Sequence, residues 1–359
     1  MSERALRFLA GPAALAEVRE QGFDAERVRV IAGASGGPKW LVLYGLDRVL
    51  LSEVVPRLSA PVHLIGSSIG SWRFACYAQN DPVAALDRLR EGYIYQHYSE
   101  RPDRAEITAK CREILHHTLG VTGPREILSH PVLRPHVMTA RARGLTASER
   151  SSALIAGLAL AAAGNLVGRR ALGAFFARAL FIDPRDEPPF VAADDFPMRV
   201  HPLTPENAAD VILASGAIPL VIDGVSEIAG AAPGVYRDGG IIDYHLDLPL
   251  SADDGLVLYP HFYDHLVPGW FDKRLSWRRA SPKNMERTIL LAPSPGFVDA
   301  LPGGHIPDRH DFRRYDPATR ERYWKRAVAE SRRLGDELAE VLASGRMAER
   351  LEPMFPGTE

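Results

Sequence analysis

The chain reads as an α/β protein built on a mostly parallel sheet, and two successive strand–turn–helix units predict it. Val28-Arg29-Val30-Ile31-Ala32 has the look of a buried strand; a glycine-rich turn follows, and then Trp40 to Leu46 at helical spacing. Val62-His63-Leu64-Ile65 repeats the arrangement, again with glycines, then a helix carrying Trp72, Phe74, Ala75 and Tyr77. A strand that feeds a helix and returns as a strand gives parallel neighbours with right-handed crossovers, so the sheet is expected to be covered on both faces.

Further along, His136 to Thr139, Gly255 to Tyr259 and Thr288 to Leu291 are short apolar runs of strand length. Asp316 to Leu351 is charged and amphipathic and predicts helix, with a glycine break near Gly335. Ala153 to Gly168 is uncharged throughout and closed by Arg169 and Arg170. It falls short of the ~20 apolar residues a membrane span needs, so a buried or capping helix is expected, with a lid over 151–182 as the alternative. No repeat and no clean linker divides the chain.

At 46% hydrophobic and 25% charged residues the composition is that of a globular protein, which excludes a disordered, fibrous or polytopic membrane chain. Net charge is only -2, so no bulk basicity points to nucleic acid, and none is expected as a partner. Cys76 and Cys111 are too few for a disulfide framework or a four-ligand zinc site. The opening twenty residues lack a signal-peptide core, and the expected location is cytoplasmic.

Chemistry is suggested at the glycine-rich turns. Gly66-Ser67-Ser68-Ile69-Gly70 is a G-x-S-x-G between strand and helix, where a sharp turn exposes a hydroxyl at a helix N-terminus. Gly33-Ala34-Ser35-Gly36-Gly37 fits the same pattern, and local sequence alone does not choose between the serines. Pro38 before Lys39, and Trp40 where Ser or Thr would hold magnesium, disqualify a P-loop. Ala214-Ser215-Gly216-Ala217-Ile218-Pro219 and Asp238-Gly239-Gly240 follow; alone, each reads as close packing or a turn.

In this order, the segments GASGGPK, GSSIGSW, ASGAIP and DGG resemble those of the patatin-like phospholipase family over roughly residues 27–250. The resemblance implies a three-layer α/β/α sandwich with a catalytic core at 27–250 and a C-terminal extension, 251–359, packed on it and ending in amphipathic helix. It implies Ser68 as nucleophile, Asp238 as its base without a histidine between them, and an elbow shaped by Gly66 and Gly70. Gly36, Gly37 and Lys39 would form the oxyanion hole. Ser35 and Trp40 depart from the family's glycines in that loop, which leaves open which amides serve. The implied activity is hydrolysis of a carboxylic ester of an apolar acyl chain, with no cofactor and a lipid or other acyl ester as substrate. Transient membrane-surface contact belongs to the same expectation. Transfer of the acyl group to another acceptor, and non-catalytic lipid binding, are the alternatives.

His245 would complete a Ser…Asp…His order, although a loop histidine beside Asp243 and Asp247 is the plainer reading. His261 and His265 have i, i+4 spacing, but no third ligand accompanies them and no metal is expected. Arg309 to Arg326 is read as a solvated, ion-paired face, and Trp270, Phe271, Lys273 and Trp277 as core edge or interfacial anchor. Leu158, in the uncharged segment, is expected to face an acyl pocket.

Overall fold

The computed structural model describes residues 4–251 and 255–355. Its strands are β1 Leu6–Ala10, β2 Val28–Gly33, β3 Val62–Ser67, β4 Leu133–Ala142, β5 Phe176–Ile182, β6 Met198–Pro202, β7 Val225–Ser226, β8 Val235–Asp238, β9 Leu256–Pro260, β10 Thr288–Pro293 and β11 Leu351–Pro353. They form one 11-stranded sheet in the order β11-β1-β10-β9-β2-β3-β4-β5-β6, with β8 on β4 and β7 on β8. The run from β10 through β9, β2 and β3 to β4 is parallel. Antiparallel pairs flank it: β1 on β10 at one side, β5 and β8 on β4 at the other. Consecutive residues of β9 and β10 are buried, so helices and loops cover both faces, as a sheet rich in parallel strands requires. The α/β sandwich expected from the sequence is the fold observed.

The strands at Val28, Val62, His136, Leu256 and Thr288 fall where the apolar runs placed them. The chain after residue 250, however, does not sit upon a finished core. It supplies β9 and β10, which lie between β2 and β1 inside the sheet.

Two further expectations are corrected. Pro317–Ser344 is one helix that runs through Gly335 and ends at Gly345, whose φ of 67° is a left-handed C-cap. Gly335 is there for contact: a Cβ would stand 2.6 Å from the Gly45 carbonyl oxygen, and a Cβ on Gly45 only 2.1 Å from that of Ser331. The 151–182 stretch is not a single lid either. Ser151–Val167 is helix, and Phe176 to Ile182 is the sheet strand β5. Leu158 is 9% exposed and packs in a small core with Leu154, Ala161, Phe176, Phe196 and Ile241. The outer face of the helix instead shows Ile155, Leu160, Leu166 and Val167 to solvent. Among the described residues, no helix is long and apolar enough to cross a membrane.

Candidate active site

Strand β4 is the ruler that brings the site together. Along one edge it first pairs β3 in parallel, up to Ser67 opposite Met138. At the next residue, Thr139, the same edge is taken over by β8, which arrives antiparallel and ends with Asp238 opposite Thr139. The C-terminal ends of β3 and β8 therefore meet head to head, and residues 170 positions apart become neighbours.

Ser68 leaves β3 in a conformation that side chains rarely adopt, with φ 54° and ψ -126°, and then caps the helix Ile69–Tyr77. Two glycines make the turn possible. A Cβ on Gly66 would meet the Ser71 nitrogen at 2.4 Å, and one on Gly70 the Gly33 carbonyl oxygen at 2.0 Å. The helix is held from behind: Arg73 and Tyr77 both bond the buried Asp47 carboxylate, and Trp72 Nε1 donates to the Ile212 carbonyl at 3.0 Å.

The Ser68 hydroxyl donates directly to Asp238 Oδ2 at 2.7 Å. The other carboxylate oxygen accepts the Gly240 N–H at 2.7 Å, and the Asp238 N–H donates to the Ala217 carbonyl at 3.0 Å. Burial raises the Asp238 pKa from 3.8 to about 6, against the lowering effects of its bonds to Ser68 and Gly240 and the charges of Lys273 and Arg309. A carboxyl of that pKa is a far better proton acceptor than an ordinary aspartate, and it is still ionised at neutral pH.

His245 is not placed between them. Its Nδ1 accepts the Val267 N–H at 2.8 Å, and burial holds its pKa well below 6.5, so it is a neutral ring packed on Tyr244 and His261. His261 is buried with its pKa lowered to about 3, whereas His265 is exposed beside Asp264. The i, i+4 spacing therefore does not put the two rings in one environment.

The first glycine loop lies against the dyad. Ser35 is buried; its hydroxyl is spent on Ser67 Oγ at 2.9 Å and its N–H on the Tyr244 carbonyl at 2.9 Å. Beyond it the N–H groups of Gly36 and Gly37 have no hydrogen-bond partner among the described residues. Gly37 sits at φ 56°, and a Cβ on Gly36 would strike the Phe262 ring at 2.5 Å, so both positions need glycine. Lys39 points its ammonium elsewhere, 5.9 Å and 6.0 Å from the ring centres of Phe262 and Tyr263, in the field of Asp308, Arg309 and Asp311.

Ser215 is the site residue whose part the sequence did not disclose. Its hydroxyl donates to the Met138 carbonyl at 2.6 Å, accepts the Ser68 N–H at 2.8 Å, and lies 2.9 Å from Ser71 Oγ. It thus ties the elbow to β4. Its place in ASGAIP was visible; a hydroxyl bonded across 147 positions was not.

No family model matches the chain, and no curated protein matches it. Among solved structures, VipD from Legionella pneumophila is similar over 72% of this chain and 53% of its own, at 11% identity and a TM-score of 0.29. The chain thus spans about half of VipD's length, and so loose a likeness bears on neither fold nor chemistry.

Proposed function

We propose that the protein is a serine acyl hydrolase that cleaves a carboxylic ester of an apolar acyl chain, with Ser68 as nucleophile and Asp238 as its base. The observation that carries this reading is the direct 2.7 Å hydrogen bond from a strained serine to a buried carboxylate. As Ser68 Oγ attacks the ester carbonyl, its proton passes to Asp238 Oδ2. The N–H groups of Gly36 and Gly37, which have no hydrogen-bond partner among the described residues, are the donors this reading assigns to the tetrahedral oxyanion. Collapse breaks the C–O bond, Asp238 returns the proton to the leaving alkoxide, and the acyl group stays on Ser68. Water then attacks the acyl-enzyme, giving one proton to Asp238; collapse breaks the bond between the acyl carbon and Ser68 Oγ, Asp238 returns that proton to Oγ, and the carboxylic acid leaves. The exposed Ile155, Leu160, Leu166 and Val167 support transient contact with a lipid surface, since that much apolar side chain on one helix gains by leaving water.

A fluorophosphonate probe tests the assignment. The wild type is expected to carry the probe mass on the peptide containing Ser68; Ser68→Ala stays unlabelled, Asp238→Asn labels slowly, and Ser35→Ala labels normally. Labelling on Ser35 in place of Ser68 would refute it.

A further inference from the structure

The first glycine loop has few donors to give. Ser35 commits its N–H to the Tyr244 carbonyl, Gly36 and Gly37 keep theirs unpartnered among the described residues, and Pro38 has none. The oxygen of a tetrahedral intermediate has lone pairs for a further hydrogen bond, and any further donor comes from outside this loop.

The space around the loop shows where. The loop lies against the dyad through Ser35, whose Oγ would stand 2.5 Å from a Cβ on Gly240. A Cβ on Gly36 would strike the Phe262 ring, so that side is filled. Beyond its chain neighbours, a Cβ on Gly37 would find one atom within 4 Å among the described residues, the Tyr93 hydroxyl oxygen at 3.7 Å. Gly37 therefore borders a recess whose nearest wall is that oxygen. A Cβ stands about 2.5 Å from its own nitrogen, which puts the hydroxyl no more than about 6 Å from the Gly37 nitrogen. One oxygen accepting from both at about 2.9 Å bridges such a gap.

Tyr93 sits in the last turn of the helix Pro82–Ile94, with its ring held by two indoles. Trp40 meets it edge-on at 6.0 Å between ring centres, and Trp324 lies at 6.1 Å. The ring is thus fixed without help from its hydroxyl. The hydroxyl has no hydrogen-bond partner among the described residues, whereas those of Tyr44, Tyr77, Tyr98, Tyr236 and Tyr323 bond protein acceptors. The Tyr259 hydroxyl is also unpartnered but is enclosed; Tyr93 is half-buried, and its oxygen opens onto the recess. Burial above all, then Cys111, Tyr98 and Asp238, holds its pKa well above the usual tyrosine value, so it keeps its proton. A free donor beside a free N–H is placed for an acceptor that arrives with the substrate.

We propose that the Tyr93 hydroxyl donates a hydrogen bond to the ester carbonyl oxygen as it becomes the tetrahedral oxyanion, alongside the Gly37 N–H. This rests on the serine-hydrolase reading above and adds to it a donor that lies in none of the glycine- and serine-bearing segments. The phenol keeps its proton throughout, and that of Ser68 still passes to Asp238.

The test is Tyr93→Phe, which removes one oxygen and leaves the ring between its indoles. It is read with a soluble short-chain nitrophenyl ester and with a trifluoromethyl ketone of the same chain length. The ketone carbonyl takes up Ser68 Oγ and holds an oxyanion where the substrate forms one. In the variant kcat is expected to fall about 100-fold with KM little changed, and ketone affinity to fall by a like factor. The thermal midpoint and the acidic limb of the pH profile stay in place, because neither the ring packing nor Asp238 is altered. Wild-type kcat in the variant overturns the proposal. So does a rise in KM alone, a slower reaction with the ketone bound as before, or a lowered midpoint, since each gives the hydroxyl a part other than holding the oxyanion. Failure of the hydrolase reading shows separately, as a wild type that cleaves no ester and takes no fluorophosphonate on Ser68.

Discussion

At the scale of one residue, Asp238 carries opposite consequences for activity and stability. With a pKa of about 6 it must be ionised to take the proton of Ser68, so kcat/KM is expected to rise through an acidic limb centred near pH 6. A limb near pH 4 would mean that burial does not shift the group; none at all would mean that Asp238 is not the base. The same shift costs stability. The folded pKa lies above the unfolded 3.8, so the folded state loses stability as pH rises from about 4 through about 6. Asp238→Asn is therefore expected to abolish turnover yet be more stable than the wild type at pH 8, by about 1–3 kcal/mol, with the gain vanishing below about pH 4. Denaturant titrations at the two pH values measure it, and equal stability at both would show that the carboxylate is well solvated. The turn at Gly66, Ser68 and Gly70 was legible because a sharp turn demands particular residue types within five positions, whereas its pairing with Asp238 came from the resemblance alone. Ser215 was not legible: its partners Met138 and Ser68 lie far along the chain, and nothing local distinguishes a buried hydroxyl that bridges two segments from one that ends a helix.

At the scale of elements, the uncharged helix and the long amphipathic one show what periodicity conveys and what it omits. Gly335 read as a helix break because glycine is about 1 kcal/mol worse than alanine in a helix interior. Were it one, Gly335→Ala would stabilise the protein. The Gly45 carbonyl oxygen 2.6 Å from the added Cβ makes the opposite expectation: a loss of about 1–3 kcal/mol, read as a lower midpoint in thermal or denaturant unfolding. In Ser151–Val167 nearly every side chain is apolar, so the pattern could not say which face turns inward. The structure buries Leu154, Leu158 and Ala161 and exposes Ile155, Leu160 and Val167. Arg169, just past the end of this helix, bonds the Ile242 carbonyl and Asp195. Leu158→Asp is accordingly expected to unfold the protein or lower its midpoint sharply. Leu160→Asp should leave the midpoint in place and weaken cleavage of vesicle-bound long-chain ester more than of a soluble ester. Equal effects on both esters would leave the exposed face without a role at lipid.

At the scale of the molecule, the parallel heart of the sheet was legible because its strands are buried on both faces and read as apolar runs. The edges were not. β1, β6, β8 and β11 have at most five residues each, and β8 was recognised only by the Asp-Gly-Gly that ends it. What no local pattern could show is the order of strands. β2, which leads into the first glycine loop, is flanked by β3 on one side and by β9, from the far end of the chain, on the other. β10 in turn joins β9 to β1. Removing everything after residue 250 would strip β2 of one neighbour along Val28 to Ile31 and leave β1 without β10 and β11. The exposed strand edge would be long and apolar, a template for aggregation. It would also remove Phe262, which packs against Gly36, and Pro268, whose carbonyl holds the Tyr244 N–H beneath Ser35. The 1–250 fragment is therefore expected to aggregate on expression and, where any remains soluble, to take no fluorophosphonate on Ser68. Adding back residues 251–359 as a second chain should recover labelling, since β9 and β10 are neighbours that refill the gap between β2 and β1 and the break falls outside the strands. A monomeric 1–250 fragment with normal labelling would show instead that the glycine-motif segment closes its own core and that the strands after residue 250 are an addition to it.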